Sequence, residues 1–332
     1  MKKPVTTIIS IAPEFEPYIK KSLKDCHVSY IHNTACNIQE IPKDTEILGT
    51  FVDARLDAAF IKKLKKLKMI ATFSTGYDHI DMRTTKRRNI IVSNVPSYGE
   101  NTVAEHAMAL ILALSRKIVP SVKRVKEGVY DYHGLRGFDL RGKTIGIIGA
   151  GRIGMHLIEM LQGFEMTVLV YDKKKTGEWP RDDRFQQVSK EYLLRNADIV
   201  SLHVPLFPET HHMINKRAIQ KMKDGVYIIN TARGGLIDPA ALVWGLETGK
   251  VAGAGLDTLE QEAFFKTPKK ILEKPSVADI KRSLMENIII DHPHTIVTPH
   301  NAFNSTEAVK RIIDTSIENI QGFLGGKPQN VV

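Results

Sequence analysis

Cysteine is nearly absent: Cys26 and Cys36 are the only two in 332 residues. Two thiols without metal-ligand spacing exclude a disulfide-stapled fold and a zinc finger, and they suit a reducing compartment. Long apolar runs are missing too. No stretch spans a bilayer, and the short apolar segment 6–12 runs into Pro13-Glu14, as an opening β-strand does and a secretory leader does not. The expectation is a cytoplasmic chain with no membrane partner. Internal repeats and low-complexity segments are lacking as well, which excludes solenoids and disordered arrays.

Charge is plentiful but unpatterned. The formal net charge is +10, yet Lys and Arg are spread along the whole chain among Asp and Glu. The densest run, Lys62-Lys63-Leu64-Lys65-Lys66-Leu67-Lys68, places its leucines three apart. That spacing predicts a helix with one buried stripe and a solvated basic face. With no aromatic ribbon and no Cys/His finger beside it, no nucleic-acid partner is expected.

Apolar content of 42% and length of 332 residues allow two cores, so two domains are expected. Strand patterns fall at 5–12, 47–51, 69–73 and 90–93, with helical patterns at 16–24 and 56–67. A long helix follows, with Thr102 and Glu105 as a capping box and Val103, Ala107, Leu110, Ile111 and Leu114 on one face. The alternation restarts at 143. Strands are predicted at 144–148, 167–171, 199–203, 227–231, 253–256 and 296–298, with helices at 152–162, 191–195, 216–221, 239–248 and 307–324. Alternating strands and helices imply an α/β protein with parallel sheets. The Lys-rich segment 264–287, broken by Pro268 and Pro275, reads as a solvated helical flap.

Gly149-Ala150-Gly151-Arg152-Ile153-Gly154 lies between the strand pattern at 144–148 and the helix pattern after it. A GxGxxG string alone is weak, but this context is the one dinucleotide binding needs. Gly149 permits the tight turn, Gly151 lets backbone approach a pyrophosphate, and Gly154 lets helix pack close to strand. The helix N-terminus then offers amides and a positive dipole end to the phosphates. Asp172, at the end of the next strand, can accept from both ribose hydroxyls and would repel a 2′-phosphate, favouring NAD over NADP. Lys173, Lys174 and Lys175 follow at once and oppose that preference.

Reducing a 2-keto acid needs a cation for the carboxylate, a proton donor at the carbonyl, and a group that tunes the donor. A histidine paired with a carboxylate supplies such a proton near neutrality. Arg233, Asp257 and His300 each follow a predicted strand downstream of the fingerprint, and Glu262 lies five residues past Asp257. Singly, each has an ordinary reading: a surface ion pair, a cap, a solvated loop, a structural histidine. Together they share one rim, where ligands of doubly wound sheets bind.

At these residues the chain resembles the D-isomer-specific 2-hydroxyacid dehydrogenase family, and within it the D-lactate and D-2-hydroxyisocaproate dehydrogenases. The resemblance spans nearly the whole sequence. Its markers are Ser74-Thr75-Gly76-Tyr77-Asp78-His79-Ile80-Asp81, Asn94-Val95-Pro96-Ser97-Tyr98, Val103-Ala104-Glu105-His106, the glycine fingerprint, His203-Val204-Pro205, the 230–238 stretch, Gly255-Leu256-Asp257 and Thr298-Pro299-His300. The resemblance implies that Arg233 binds the substrate carboxylate and keto oxygen, that His300 is the acid/base, and that Glu262 hydrogen-bonds it. Thr75 and Gly76 would cradle the carboxylate through backbone amides, and Tyr98 and Phe303 would shape a pocket for a small apolar tail. Arg152, Ile153, Asp172, His203, Val204, Pro205, Thr210, Thr231 and Ala232 would line NAD, with Asp257 at its nicotinamide end. The implied architecture is a Rossmann NAD-binding domain, 102–299, inserted into a flavodoxin-like substrate domain, 1–101 with 300–332. Closure about the two connections would expel water from the cleft, and homodimers are implied.

One departure from the family pattern is Ala263, where many members have proline after the glutamate; the lactate-type members depart there too. Phosphoglycerate dehydrogenase fits less well, because the sequence has no obvious phosphate-binding addition. His211-His212 and His292-Pro293-His294 invite a metal with His300, but the sequence shows no carboxylate or thiol at ligand spacing with them, and no metal is expected. The alternatives to a D-lactate-like activity are glyoxylate or hydroxypyruvate reduction, and a non-enzymatic NAD(H)-sensing corepressor.

Overall fold

The computed structural model describes residues 3–32, 40–52, 54–173, 183–262 and 276–332. Cys36, Lys174, Lys175, Ala263 and the first half of the proposed flap lie outside the described residues. The chain divides into two compact units, Met1–Gly99 with Ser305–Val332, and Glu100–Asn304.

The first unit is built on five strands: β1 (Val5–Ile9), β2 (His27–Ile31), β3 (Ile47–Thr50), β4 (Met69–Thr72) and β5 (Ile91–Ser93). Every pairing is parallel, in the order β2-β1-β3-β4-β5. This is the flavodoxin-like order. All four residues of β3 and of β4 are buried, as strands covered on both faces must be. β2 has no counterpart in the sequence reading. It is an edge strand, exposed at His27 and half-buried after it, so it carries neither a continuous apolar run nor a clean alternation.

The basic run behaves differently from its predicted helix. The helix there covers only Ala58–Lys63, capped by the Asp57 carboxylate accepting from the Phe60 amide at 2.8 Å. Leu64 and Leu67 are buried, but from the turns that follow. The leucine spacing reported burial correctly and helix length wrongly.

The helix Thr306–Leu324 buries Ile312, Ile313, Ile317 and Ile320 within the first unit. The tail after it returns to β5. The Asn94 amide donates to the Asn330 carbonyl (3.0 Å), the Ser93 hydroxyl to the Gln329 carbonyl (2.8 Å) and the Val332 amide to the Val92 carbonyl (3.0 Å). Asn319, fully buried, links both partners: its amide donates to the Asn94 carbonyl and its oxygen accepts from Asn330, each at 2.8 Å.

The second unit holds seven parallel strands: β6 (Thr144–Ile148), β7 (Thr167–Tyr171), β8 (Phe185–Gln187), β9 (Ile199–Leu202), β10 (Val226–Asn230), β11 (Val251–Leu256) and β12 (Thr295–Val297). Their order is β12-β11-β10-β9-β6-β7-β8. The chain winds one way from β6 through β7 and β8, then the other way from β9 to β12, so the switch lies between β6 and β9. One apolar cluster, including Ile148, Val200, Ile228 and Leu242, and a second, including Ala107, Ile111, Ile145 and Leu157, form its core. The long helix starts at Glu100, which puts Thr102 in its first turn and not at its N-cap.

The described part of the proposed flap is the helix Val277–Asp291. It opens on a capping box between Ser276 and Asp279, packs on the helix Pro239–Glu247, and buries Glu286 and Ile289. Over 277–287 it is helical and mostly exposed, as read, with Glu286 alone buried there; its outward positions include the apolar Val277, Ile280 and Leu284. Among the described residues no helix is long and apolar enough to cross a membrane.

Candidate active site

The second unit gathers most of the predicted residues at the C-terminal ends of its strands. The glycine turn follows β6. The Gly149 amide donates to the Tyr171 carbonyl at 2.8 Å, and Gly149 has φ +98°, which glycine adopts without strain. A Cβ there would lie 2.7 Å from the His203 carbonyl oxygen. At Gly154 a Cβ would lie 2.1 Å from the Gly149 carbonyl oxygen, so the helix Arg152–Leu161 can approach the strand only with glycine. Gly151 is different. A Cβ there meets nothing within 4 Å, and the residue offers no side-chain cap to the helix it opens. An uncapped helix N-terminus beside open space is the cradle a pyrophosphate requires. Arg152 is exposed and its guanidinium lies 3.4 Å from Glu100; Ile153 packs against the core.

Asp172 follows β7, and its carboxylate accepts from the Ala150 amide at 2.8 Å. The acidic group is thereby fixed beside the glycine turn. After β9, the ring of His203 bonds to the Ser201 hydroxyl through Nε2 at 2.8 Å, while buried Nδ1 has no partner. Burial pushes the imidazole down to about 4, so it is neutral. Val204 packs on the core; the Thr210 hydroxyl closes the next turn, donating to the Pro205 carbonyl and accepting from the Phe207 amide, both at 2.7 Å.

Thr231, Ala232 and Arg233 follow β10. The Asn230 side chain holds this loop, accepting from the Ala232 amide and donating to the Arg233 carbonyl. The Arg233 guanidinium donates to the Ala232 carbonyl at 2.8 Å.

His300 follows β12 in a left-handed conformation, φ +54°, uncommon for a residue with a side chain. Its amide donates to the Asp257 and Thr298 carbonyls at 2.8 and 2.9 Å. Its Nδ1 lies 3.0 Å from a Glu262 carboxylate oxygen, whose other oxygen accepts from the Leu259 amide at 3.3 Å. With Nδ1 given to the carboxylate, Nε2 is left for chemistry. Both side chains are about a quarter exposed, enough for a small molecule to reach. The Phe303 ring stands edge-on to His300 at 6.4 Å.

Asp257 is 1% exposed. Its carboxylate accepts from the Thr298 hydroxyl and from the Asn301 and Ala302 amides at 2.8 Å, with His106 at 3.4 Å. Burial alone would raise its pKa, but the bonds from His106, Thr298 and the two amides outweigh it and hold the carboxyl below its usual range. Its hydrogen bonds therefore bind the chain on both sides of His300. His106 belongs to this network, its Nε2 donating across 3.0 Å to the Thr298 hydroxyl, whose own hydrogen goes to Asp257. Its place among the sequence markers gave no role; only the fold shows one.

In the first unit, Thr75 and Gly76 follow β4 and Tyr98 follows β5. The Thr75 hydroxyl donates to the Val95 carbonyl at 2.7 Å, its carbonyl accepts from the Asn94 side chain at 2.8 Å, and the Ser74 hydroxyl donates to the Gly76 carbonyl at 2.6 Å. The Tyr98 carbonyl accepts from the Arg311 guanidinium.

The structure corrects the reading of the paired histidines. His211 and His212 meet a carboxylate after all: their Nε2 atoms lie 3.1 and 2.9 Å from the two oxygens of Glu260, with which they form one cluster. No sequence spacing reveals a pair 48 residues apart.

The family model "D-isomer specific 2-hydroxyacid dehydrogenase, NAD binding domain" matches residues 108–302. An aromatic 2-oxoacid reductase of Clostridium sporogenes is 39% identical over 272 residues, covering 79% of this chain and 78% of that one. The crystal structure of D-lactate dehydrogenase from Aquifex aeolicus, complexed with NAD and lactic acid, superposes with a TM-score of 0.85 at 33% identity, over 97% of this chain and 96% of that one. The structure of D-2-hydroxyisocaproate dehydrogenase does so at 0.81 and 27%, over 99% of each. A nucleotide cradle after the first strand of a switch-point sheet, and matches of this extent, lead to one assignment: the chain belongs to the D-isomer-specific 2-hydroxyacid dehydrogenase family and is an NAD-dependent oxidoreductase.

Proposed function

We propose that the protein interconverts a small 2-keto acid and its D-2-hydroxy acid, with D-lactate-like substrates preferred. The observation that carries this is the His300–Glu262 pair at 3.0 Å on the strand-end rim that also presents Arg233. Bound NADH supplies the hydride. The Arg233 guanidinium holds the substrate carboxylate and polarises the keto oxygen. His300 Nε2 gives its proton to that oxygen in reduction and takes it back in oxidation, while the Glu262 carboxylate fixes the ring through Nδ1. Asp172 accepts from the cofactor ribose and sets the preference for NAD. Thr75, Gly76 and Tyr98 are the first unit's candidates for substrate contact, and Phe303, edge-on to His300, is the second unit's candidate for the substrate tail.

A second reading, reduction of aromatic 2-oxo acids, is favoured by the Clostridium reductase. NADH oxidation against pyruvate, 2-ketoisocaproate, phenylpyruvate, glyoxylate and hydroxypyruvate separates these, with His300→Ala as control. Pyruvate turnover lost in the variant supports the proposal; preference for phenylpyruvate replaces it with the second reading, and preference for glyoxylate or hydroxypyruvate makes the chain a reductase of those acids.

We also propose a homodimer through the second unit. The helix Ile118–Lys126 buries none of its residues. Ile118, Val119, Val122 and Val125 are each about half exposed, and Tyr130 is 95% exposed just beyond. An apolar face of this kind marks an interface. Light scattering on a size-exclusion column would show a dimer, and Val122→Glu with Val125→Glu a monomer; a monomeric native chain would refute it.

A further inference from the structure

We propose that His211, His212 and Glu260 form a binding site for one divalent transition-metal ion of the zinc class, separate from the His300–Glu262 pair. Among the described residues these three bring their ligand atoms within 4.8 Å of one another. The Nε2 atoms lie 3.1 and 2.9 Å from the Glu260 oxygens. Ligand atoms about 2.0–2.2 Å from one tetrahedral ion stand roughly 3.3 Å apart; each nitrogen already lies near that distance from its own Glu260 oxygen, and a small turn of the carboxylate and rings brings one oxygen and both nitrogens onto one ion. Two imidazole nitrogens and a carboxylate oxygen are a zinc-type donor set, leaving a fourth position for water.

The backbone is arranged for this. Adjacent side chains on an extended segment point to opposite sides. Here His212 has φ +49°, and the two rings lie stacked, with centroids 3.8 Å apart and planes 23° apart. That conformation costs free energy in a residue with a Cβ, and it turns both Nε2 atoms to one carboxylate. The main chain of two of the ligands is anchored as well. The His212 amide donates to the Gly235 carbonyl at 2.8 Å, and the Glu260 amide to the buried Glu286 carboxylate at 2.6 Å. These bonds fix the backbone positions from which the two side chains reach out. The competing cation is Arg282, whose Nε lies 3.7 Å from Glu260; it also pairs with Asp279 at 3.4 Å and can turn to it as the metal enters. The ion takes no part in hydride transfer. Its effect is to tie the loop after β9 to the loop after β11.

The test uses the full-length protein without a histidine tag, freed of metal by a chelator that is then removed. Calorimetric titration with zinc chloride is expected to show one equivalent bound, and the thermal midpoint to rise with zinc. His211→Asn, at a half-exposed position, is expected to weaken binding at least tenfold and abolish the rise; His211→Ala with His212→Ala removes both. Circular dichroism and NADH binding report whether the variants fold. No zinc binding by the native chain overturns the proposal, and so does undiminished binding by a folded His211→Asn.

Discussion

His203 makes stability of the second unit depend on pH in a calculable way. Its Nδ1 is buried without a partner, its Nε2 bonds to Ser201, and burial pushes its pKa from 6.5 to about 4. Between those values the unfolded chain binds a proton here and the folded chain does not, so stability falls as pH falls. At about 1.4 kcal/mol per pH unit the full loss is about 3 kcal/mol, of which roughly 2.5 is in place at about pH 4.5. His203→Gln keeps a polar group for Ser201 and removes the titration. Urea unfolding of both proteins at about pH 7.5 and about pH 4.5 isolates the effect, because other carboxylates and histidines cancel in the comparison. Trp244, partly buried against the core of the second unit, reports that unit by fluorescence. The native chain is expected to lose about 2 to 3 kcal/mol more than the variant between the two pH values. Equal losses would show that the imidazole is solvated or protonated in the fold, and the reasoning would fail.

Gly151→Ala and Gly154→Ala are expected to part company. The first adds a methyl to open space, so thermal stability holds while NADH affinity drops about tenfold or more by fluorescence titration; the second forces a 2.1 Å contact and lowers stability by several kcal/mol, on the order of overpacking at its worst. Asp257→Asn keeps one acceptor oxygen but turns the other into a donor facing donors in a buried site, and is expected to destabilise the second unit by about 2–4 kcal/mol in urea unfolding, with turnover lost as the His300 segment loosens. Glu262→Gln keeps the shape of the His300 contact but not its charge. Its kcat for keto-acid reduction is expected to fall about 100-fold or more, because the ring loses the charged partner that fixes it through Nδ1. An unchanged kcat would remove Glu262 from the mechanism.

Most of this molecule is legible because its sheets are parallel. β6 and β7 fall on the residues that the apolar runs mark, since strands buried on both faces read as unbroken Val/Ile/Leu segments. The glycine fingerprint and Asp172 announce themselves by spacing, and the hydrogen bond from Ala150 to Asp172 shows why that spacing recurs within one sheet. What escaped the sequence lies at edges and across loops. β2 and β8 are edge strands, half exposed, with no pattern of either period. The helix Ile118–Lys126 shows apolar residues that the unit does not bury, so a reading that seeks a core has no place for it. The support of His300 by Asp257, Thr298 and His106 joins residues up to 192 apart in sequence, and no local signal carries such a link.

The return of the tail to β5 has a consequence for how the protein is made. Ser93 and Asn94 find their partners in Gln329, Asn330 and Asn319, which leave the ribosome only after all of residues 100–304. During synthesis the first unit therefore waits, with β5 and the face meant for the last helix uncovered, while the second unit has every strand it needs. The order of birth and the order of completion are reversed: the unit that starts first finishes last, and until then it is the part of the nascent chain most exposed to chaperones and to aggregation.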